Sequence, residues 1–201
     1  MRKMNTNVIK QQKSALRQQF KLLREQLPQD YRQDADRKIY ENVINSMSYK
    51  FAKTLLLYAS CKGEADTWQI LKKAMLDGKK CAFPKTNKDG TMEFYYVQSE
   101  DDLKQGNFSV PEPCDTLQKV CGLEENALCL VPCLSADMNG FRLGYGKGYY
   151  DRYLKTFKGI TAILQYEKCI SQKPLPSQKR YDVKTDLVIT EKKVYVIGQE
   201  E

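Results

Sequence analysis

The chain has 201 residues, of which 41% are hydrophobic, enough for one well-filled core, because a domain of this size buries roughly 70% of the surface its unfolded form exposes. Histidine is absent, which excludes Ser-His-Asp and Cys-His catalysis and nearly all catalytic zinc sites. The net charge of +8 comes from 33 basic residues mixed along the chain with 25 acidic ones, so it reads as a solvated basic surface that draws small polyanions, not as a nucleic-acid footprint.

One domain over residues 1–201 is therefore expected. No stretch approaches the ~20 apolar residues that span a bilayer, and Met1 to Asn7 run into polar sequence instead of a signal core. A cytoplasmic protein without membrane contact follows. Seven cysteines, an odd number with no CxxC pair (Cys61, Cys81, Cys114, Cys121, Cys129, Cys133 and Cys169), fit reduced thiols.

From Lys13, apolar Leu16, Phe20, Leu23 and Leu27 fall at helical spacing until Pro28 stops the run. Asp30 with Gln33 resembles a capping box, and Tyr31, Ala35, Ile39, Val43 and Met47 make the stripe of a second helix. Residues 54–60 are almost continuously apolar, the pattern of a strand covered on both faces. Asp66, with Gln69 reaching back, opens a helix carrying Trp68, Ile70, Leu71, Ala74 and Met75 and ending at Asp77-Gly78. Further strands are predicted at 80–83, 92–97, 127–131, 160–165, 187–190 and 194–197, with a helix over 146–157. This alternation predicts an α/β fold: a three-layer sandwich whose mixed or largely parallel sheet has helices on both faces.

Residues 139–154 hold four of the 11 glycines. Glycine lets backbone amides turn toward an anion, and Arg142 and Lys147 add full charges at the same place. The segment is neither common phosphate fingerprint: Gly148 stands where the Walker pattern needs Ser or Thr, and Tyr149 breaks the dinucleotide pattern. A tight turn that merely enters a helix remains the alternative.

The run Arg142-Leu143-Gly144-Tyr145-Gly146-Lys147-Gly148-Tyr149-Tyr150-Asp151 strongly resembles the signature of the 5-formyltetrahydrofolate cyclo-ligase family, also called 5,10-methenyltetrahydrofolate synthetases. Other landmarks agree in order across nearly the whole chain: Lys13 to Arg17, Gly63 to Thr67, Glu112-Pro113, Val131-Pro132, Asp137, and Asp186 to Glu191. Tyr181 stands where the family usually carries His, Cys133 where Gly follows Val-Pro, and Ala136 where Phe precedes the Asp.

The resemblance implies a ligase that uses ATP and Mg²⁺ to cyclise 5-formyltetrahydrofolate to 5,10-methenyltetrahydrofolate. It implies ATP contacts from Lys13, Arg17, Arg142, Leu143, Gly144, Tyr145, Gly146, Lys147, Gly148, Tyr149 and Tyr150. Folate contacts would come from Ala59, Glu64, Tyr149 and Tyr150, and Mg²⁺ ligands from Asp151 and Asp186. Partners would be these small molecules alone, with no nucleic acid, and the protein a monomer. Without the resemblance, Lys13 and Arg17 read as a solvated helix face, the tyrosines as core packing and Asp151 as a first-turn acid. Two alternatives share the architecture: a non-catalytic module binding nucleotide, folate or RNA, and a phosphate-sugar isomerase or acyl-CoA enzyme.

Overall fold

The computed structural model describes residues 6–61, 63–121, 126–178 and 180–198. Its helices are α1 (Thr6–Glu25), α2 (Gln29–Asn45), α3 (Met47–Phe51), α4 (Trp68–Leu76) and α5 (Tyr149–Leu154). Its strands are β1 (Thr54–Leu56), β2 (Lys80–Thr86), β3 (Met92–Val97), β4 (Leu103–Gln105), β5 (Pro111–Pro113), β6 (Ala127–Val131), β7 (Ser135–Ala136), β8 (Arg142–Leu143), β9 (Ile160–Leu164), β10 (Leu187–Ile189) and β11 (Val194–Val196).

Seven strands form one sheet in the order β11-β10-β9-β6-β1-β2-β3. The five central strands are parallel, and β3 and β11 close the edges antiparallel. β1 lies between β2 and β6, with Leu55 opposite both Cys81 and Leu128. Successive strand residues point to opposite faces. Leu55, Leu57, Phe83, Leu128 and Leu130 pack with Ile39, Val43, Ile70 and Leu71 of α2 and α4. Leu56, Ala82, Cys129, Val131 and Ile163 pack with Leu154, Tyr149, Tyr150 and Tyr153 of α5 on the other side. Burial on both faces is why β1 and β6 read as unbroken apolar runs.

Several expectations need correction. The second helix has no capping box: Pro28 precedes it without a side-chain cap, and Asp30 accepts only from the Tyr31 amide. Nor does its stripe reach Met47, because Ser46 is extended and its hydroxyl caps α3, which leaves Met47 62% exposed. The helix expected over 146–157 begins at Tyr149, because Gly146 and Gly148 have φ of +96° and +71°, outside helical backbone. β1 ends at Leu56, although the Leu57 amide still bonds the Ala82 carbonyl. Two small hairpins, β4–β5 and β7–β8, carry too few residues for a periodic signal.

Candidate active site

Among the parallel strands β1 neighbours both β2 and β6, so the chain leaves β1 toward one side of the sheet and β6 toward the other. Open α/β sheets bind ligands outside the carboxyl ends of the strands at such a reversal. A cleft of about 520 Å³ lies there, bordered by Ala59 beyond β1, Pro84 and Thr86 of β2, and Pro132 beyond β6. That volume is within the usual range for a small-molecule site.

The glycine segment reaches this cleft through Asp137. Its Oδ1 accepts from the amides of Asn139 and Phe141, both at 3.0 Å, and its Oδ2 from the Leu175 amide at 2.7 Å. These bonds turn the chain from β7 back into β8, and α1 braces the hairpin by packing Phe20 against Leu134, Leu143 and Leu175. Leu143 is thus a buried hairpin residue, 1% exposed.

Side chains from α1 and α5 fix the loop that follows. Arg17 Nε of α1 donates to the Gly144 carbonyl at 2.8 Å, and a Cβ on Gly146 would stand 3.2 Å from the Arg17 Cζ. Arg152 of α5 donates Nε to the Gly90 carbonyl at 2.8 Å and Nη2 to the Lys147 carbonyl at 2.9 Å, with its guanidinium over the Tyr149 ring. The loop is thereby tied to the turn between β2 and β3, a role for Arg152 that no sequence pattern signals. Lys13 meets both oxygens of Asp182 at 2.7 Å, four residues from Arg17 on the same helix face. Lys147 is exposed at the cleft.

Arg142 and Asp151, expected to serve phosphate and metal respectively, bond each other. Arg142 Nη2 donates to Asp151 Oδ1 at 2.8 Å, its Nη1 to the Val183 carbonyl at 3.1 Å, and the Val183 amide also donates to Asp151 Oδ1. The Arg142 side chain is only 4% exposed, so it pins β8 to α5 and to the chain before β10. Both bonds to Asp151 end on Oδ1, which leaves Oδ2 on the cleft side chain for a ligand. One such carboxylate fits Mg²⁺, which takes one or two protein carboxylates beside phosphate oxygens and water.

Asp186 is not brought to the cleft. It sits at the amino end of β10, where its Oδ2 accepts from the amide (2.8 Å) and hydroxyl (2.6 Å) of Thr161. That position is at the amino end of a parallel strand, and Asp186 is not among the residues that line the cleft, whereas Asp151 is. Among the described residues no three His, Cys, Asp or Glu side chains gather into a metal cluster.

Glu64 lies at the cleft wall in contact with the loop, half-buried in the turn after β1. Its Oε1 accepts from the Tyr145 hydroxyl at 2.6 Å and its Oε2 from the Cys61 amide at 3.1 Å. Burial pushes its carboxyl above the usual range, against the lowering by the Tyr145 bond, the Cys61 amide and Arg24. Ala59 is buried at the same wall. Tyr150 packs its ring on the α5 face of the core while its hydroxyl is buried without a hydrogen-bond partner. Burial raises its pKa well above the ordinary tyrosine value, so it stays a donor. An orphaned hydroxyl at a cleft wall fits a polar ligand group.

Two more cleft residues went unassigned in the sequence. Glu112, 8% exposed, accepts from the amide and hydroxyl of Thr86 and from the Asn107 amide, holding the β4–β5 hairpin against β2. Tyr181 lines the cleft beside Asp182, half exposed, with Arg180 over its ring. No disulfide is formed, and burial pushes the thiols of Cys81, Cys129 and Cys133 up to about 12, so none of these three is a nucleophile at neutral pH.

Among the described residues no helix is long and apolar enough to cross a membrane. Residues 9–191 match the model of the 5-formyltetrahydrofolate cyclo-ligase family. A probable 5-formyltetrahydrofolate cyclo-ligase of Caenorhabditis elegans is 32% identical over 75% of this chain and 76% of its own. The 5-formyltetrahydrofolate cyclo-ligase of Haemophilus influenzae is 26% identical over 84% of this chain and 92% of its own. Among solved structures, the Aquifex aeolicus 5,10-methenyltetrahydrofolate synthetase superposes with a TM-score of 0.79 at 29% identity, covering 94% of each chain. A Mycoplasma pneumoniae 5,10-methenyltetrahydrofolate synthetase shares the fold, with a TM-score of 0.70 at 23% identity over 89% of this chain and 98% of that one. The Caenorhabditis elegans, Haemophilus influenzae and Aquifex aeolicus proteins are each named as an enzyme, which supports the catalytic reading over a non-catalytic module. On the match over most of its length, the chain belongs to the 5-formyltetrahydrofolate cyclo-ligase family.

Proposed function

We propose that this chain cyclises 5-formyltetrahydrofolate to 5,10-methenyltetrahydrofolate, using ATP as cosubstrate and releasing ADP and phosphate. The observation that carries this reading is that one cleft is lined both by the glycine loop with its cations and by the Glu64 carboxylate and the orphaned Tyr150 hydroxyl. Phosphate and pterin chemistry therefore have walls of one cavity.

The N5 formyl group is an amide, and its oxygen leaves only after activation. Its attack on the γ-phosphorus forms a new P–O bond and breaks the bond to ADP. Closure of N10 on the same carbon then breaks the C–O bond, expelling phosphate and the N10 proton. Such a sequence asks for alignment and charge stabilisation, not for a protein nucleophile, consistent with a chain that has no histidine.

Lys147, Lys13 and Arg17 face the phosphates, with the amides of Gly144 to Gly148 between them. Arg142 acts one step removed, by holding Asp151. Mg²⁺, when bound, would neutralise charge on the phosphate oxygens, and Asp151 is the residue that would hold it. Glu64 accepts from pterin nitrogens, Ala59 leaves room for the ring, and Tyr149 and Tyr150 flank it. The same reading takes the protein as a cytoplasmic monomer of one domain that engages only small molecules.

The test is the appearance of the methenyl chromophore when purified protein meets 5-formyltetrahydrofolate, ATP and Mg²⁺, run with and without ATP. ATP-dependent absorbance is expected, greatly slowed in Lys147→Ala. Folded wild-type protein that gives no signal would reject the reading.

A further inference from the structure

Arg24 lies near the end of α1, 3% exposed. Such burial of an arginine needs a compensating role, because an unpaired buried cation is costly. Its Nη2 donates to the Tyr145 hydroxyl at 2.9 Å and its Nη1 to the Cys133 carbonyl at 3.4 Å, and its Cζ lies 6.0 Å from the Tyr145 ring centre. It has no carboxylate of its own among the ion pairs of the described residues.

The polarity of this chain of bonds is fixed by chemistry. A guanidinium only donates, so the Tyr145 oxygen must accept from Arg24 and its one proton is directed to Glu64. Glu64 then receives a bond on each oxygen, from Tyr145 at 2.6 Å and from the Cys61 amide at 3.1 Å. Glu64 accepts both bonds, one on each oxygen, and together they hold the carboxylate plane at the cleft wall. Burial and the neighbouring Glu64 charge raise the Tyr145 pKa, so the hydroxyl keeps its proton.

We propose that Arg24 is a positioning residue for the folate subsite, acting through the Tyr145 hydroxyl to orient the Glu64 carboxylate for the pterin. This rests on the functional reading above, in which Glu64 accepts from pterin nitrogens. The relay joins three separate parts of the chain: α1, the glycine loop and the turn after β1. Tyr145 thus belongs to the folate wall through its hydroxyl although it sits in the phosphate loop.

The experiment is titration calorimetry of 5-formyltetrahydrofolate, and separately of a non-hydrolysable ATP analogue, into wild type, Arg24→Met, Tyr145→Phe and the double variant. Each single change breaks the same charge-assisted relay, so each weakens folate binding about tenfold. The double variant shows the same loss as either single one, and nucleotide affinity moves by less than about threefold. Arg24→Lys, which keeps a charged donor, stays closer to wild type than Arg24→Met. Should Arg24→Met not fold, Arg24→Gln, which keeps a donor for the Cys133 carbonyl, replaces it in the same cycle. Losses that multiply in the double variant, or that fall equally on folate and nucleotide, overturn the relay while leaving the functional reading intact. Wild-type protein that binds no 5-formyltetrahydrofolate overturns both.

Discussion

Replacing Gly146 by alanine asks whether the shape of the loop, beyond its charge, holds the nucleotide. Gly146 has φ of +96°, and an added Cβ would lie 3.2 Å from Cζ and 3.3 Å from Nη2 of Arg17. An L side chain in left-handed backbone costs roughly 1–2 kcal/mol. Displacing Arg17 from the Gly144 carbonyl, a bond of 2.8 Å, adds about 1.5 kcal/mol for a charge-assisted hydrogen bond. Both costs fall on an exposed loop, so they appear in ligand binding more than in global stability. About 3 kcal/mol corresponds to roughly a 100-fold weaker nucleotide complex. Calorimetry with a non-hydrolysable ATP analogue measures that directly, and urea unfolding followed by fluorescence of Trp68, the only tryptophan, checks that the core is unaffected. Nucleotide affinity within threefold of wild type would refute the reasoning, since the loop would then tolerate a different backbone at its centre.

Arg142→Met leaves Asp151 facing Val183 without its cation, at a site where the arginine is 4% and the aspartate 27% exposed. Loss of one partner of such a pair destabilises by about 3 kcal/mol, read as a lower urea midpoint. Asp151→Asn should raise the Mg²⁺ concentration for half-maximal methenyl formation by about tenfold for one lost charged ligand. Asp186→Asn should leave that requirement at the wild-type value and cost about 1 kcal/mol of stability through its bonds to Thr161. A shared Mg²⁺ response in the two variants would contradict the placement of Asp186. Burial raises the Glu64 pKa in the folded state, so between the unfolded and folded values the native protein binds more protons than the unfolded chain. Stability therefore falls as pH rises through that window. Glu64→Gln removes this slope, so its advantage over wild type at neutral pH should shrink on acidification. An advantage that does not change across that window would show that the carboxyl titrates normally.

Fold class was legible in the sequence because burial on both faces of a parallel sheet writes itself as short unbroken apolar runs such as those of β1 and β6. Helix ends were less legible. The side-chain cap expected from Asp30 is absent, and Ser46, inside an apolar stripe, ends α2. Both outcomes depend on backbone angles that composition leaves open.

The glycine segment stood out by composition, and its likeness to a known signature pointed to chemistry and to the cleft-lining residues Lys13, Arg17, Glu64 and Lys147. Two expected roles differ in the folded chain. Arg142 and Asp151, nine residues apart, spend their charges on each other, and Asp186 turns to Thr161. A list of charges cannot say which pairs close.

What the sequence determined alone is the alternation of strands and helices, the exclusion of imidazole chemistry and the loop's capacity for anions, since each follows from residue type and local spacing. Only the tertiary structure decided that Arg24 reaches Tyr145, that Tyr145 reaches Glu64 across 81 positions of chain, and that Asp186 is not among the residues that line the cleft. Strand order sets those distances, and strand order is fixed by packing of the whole core, not by any segment of it.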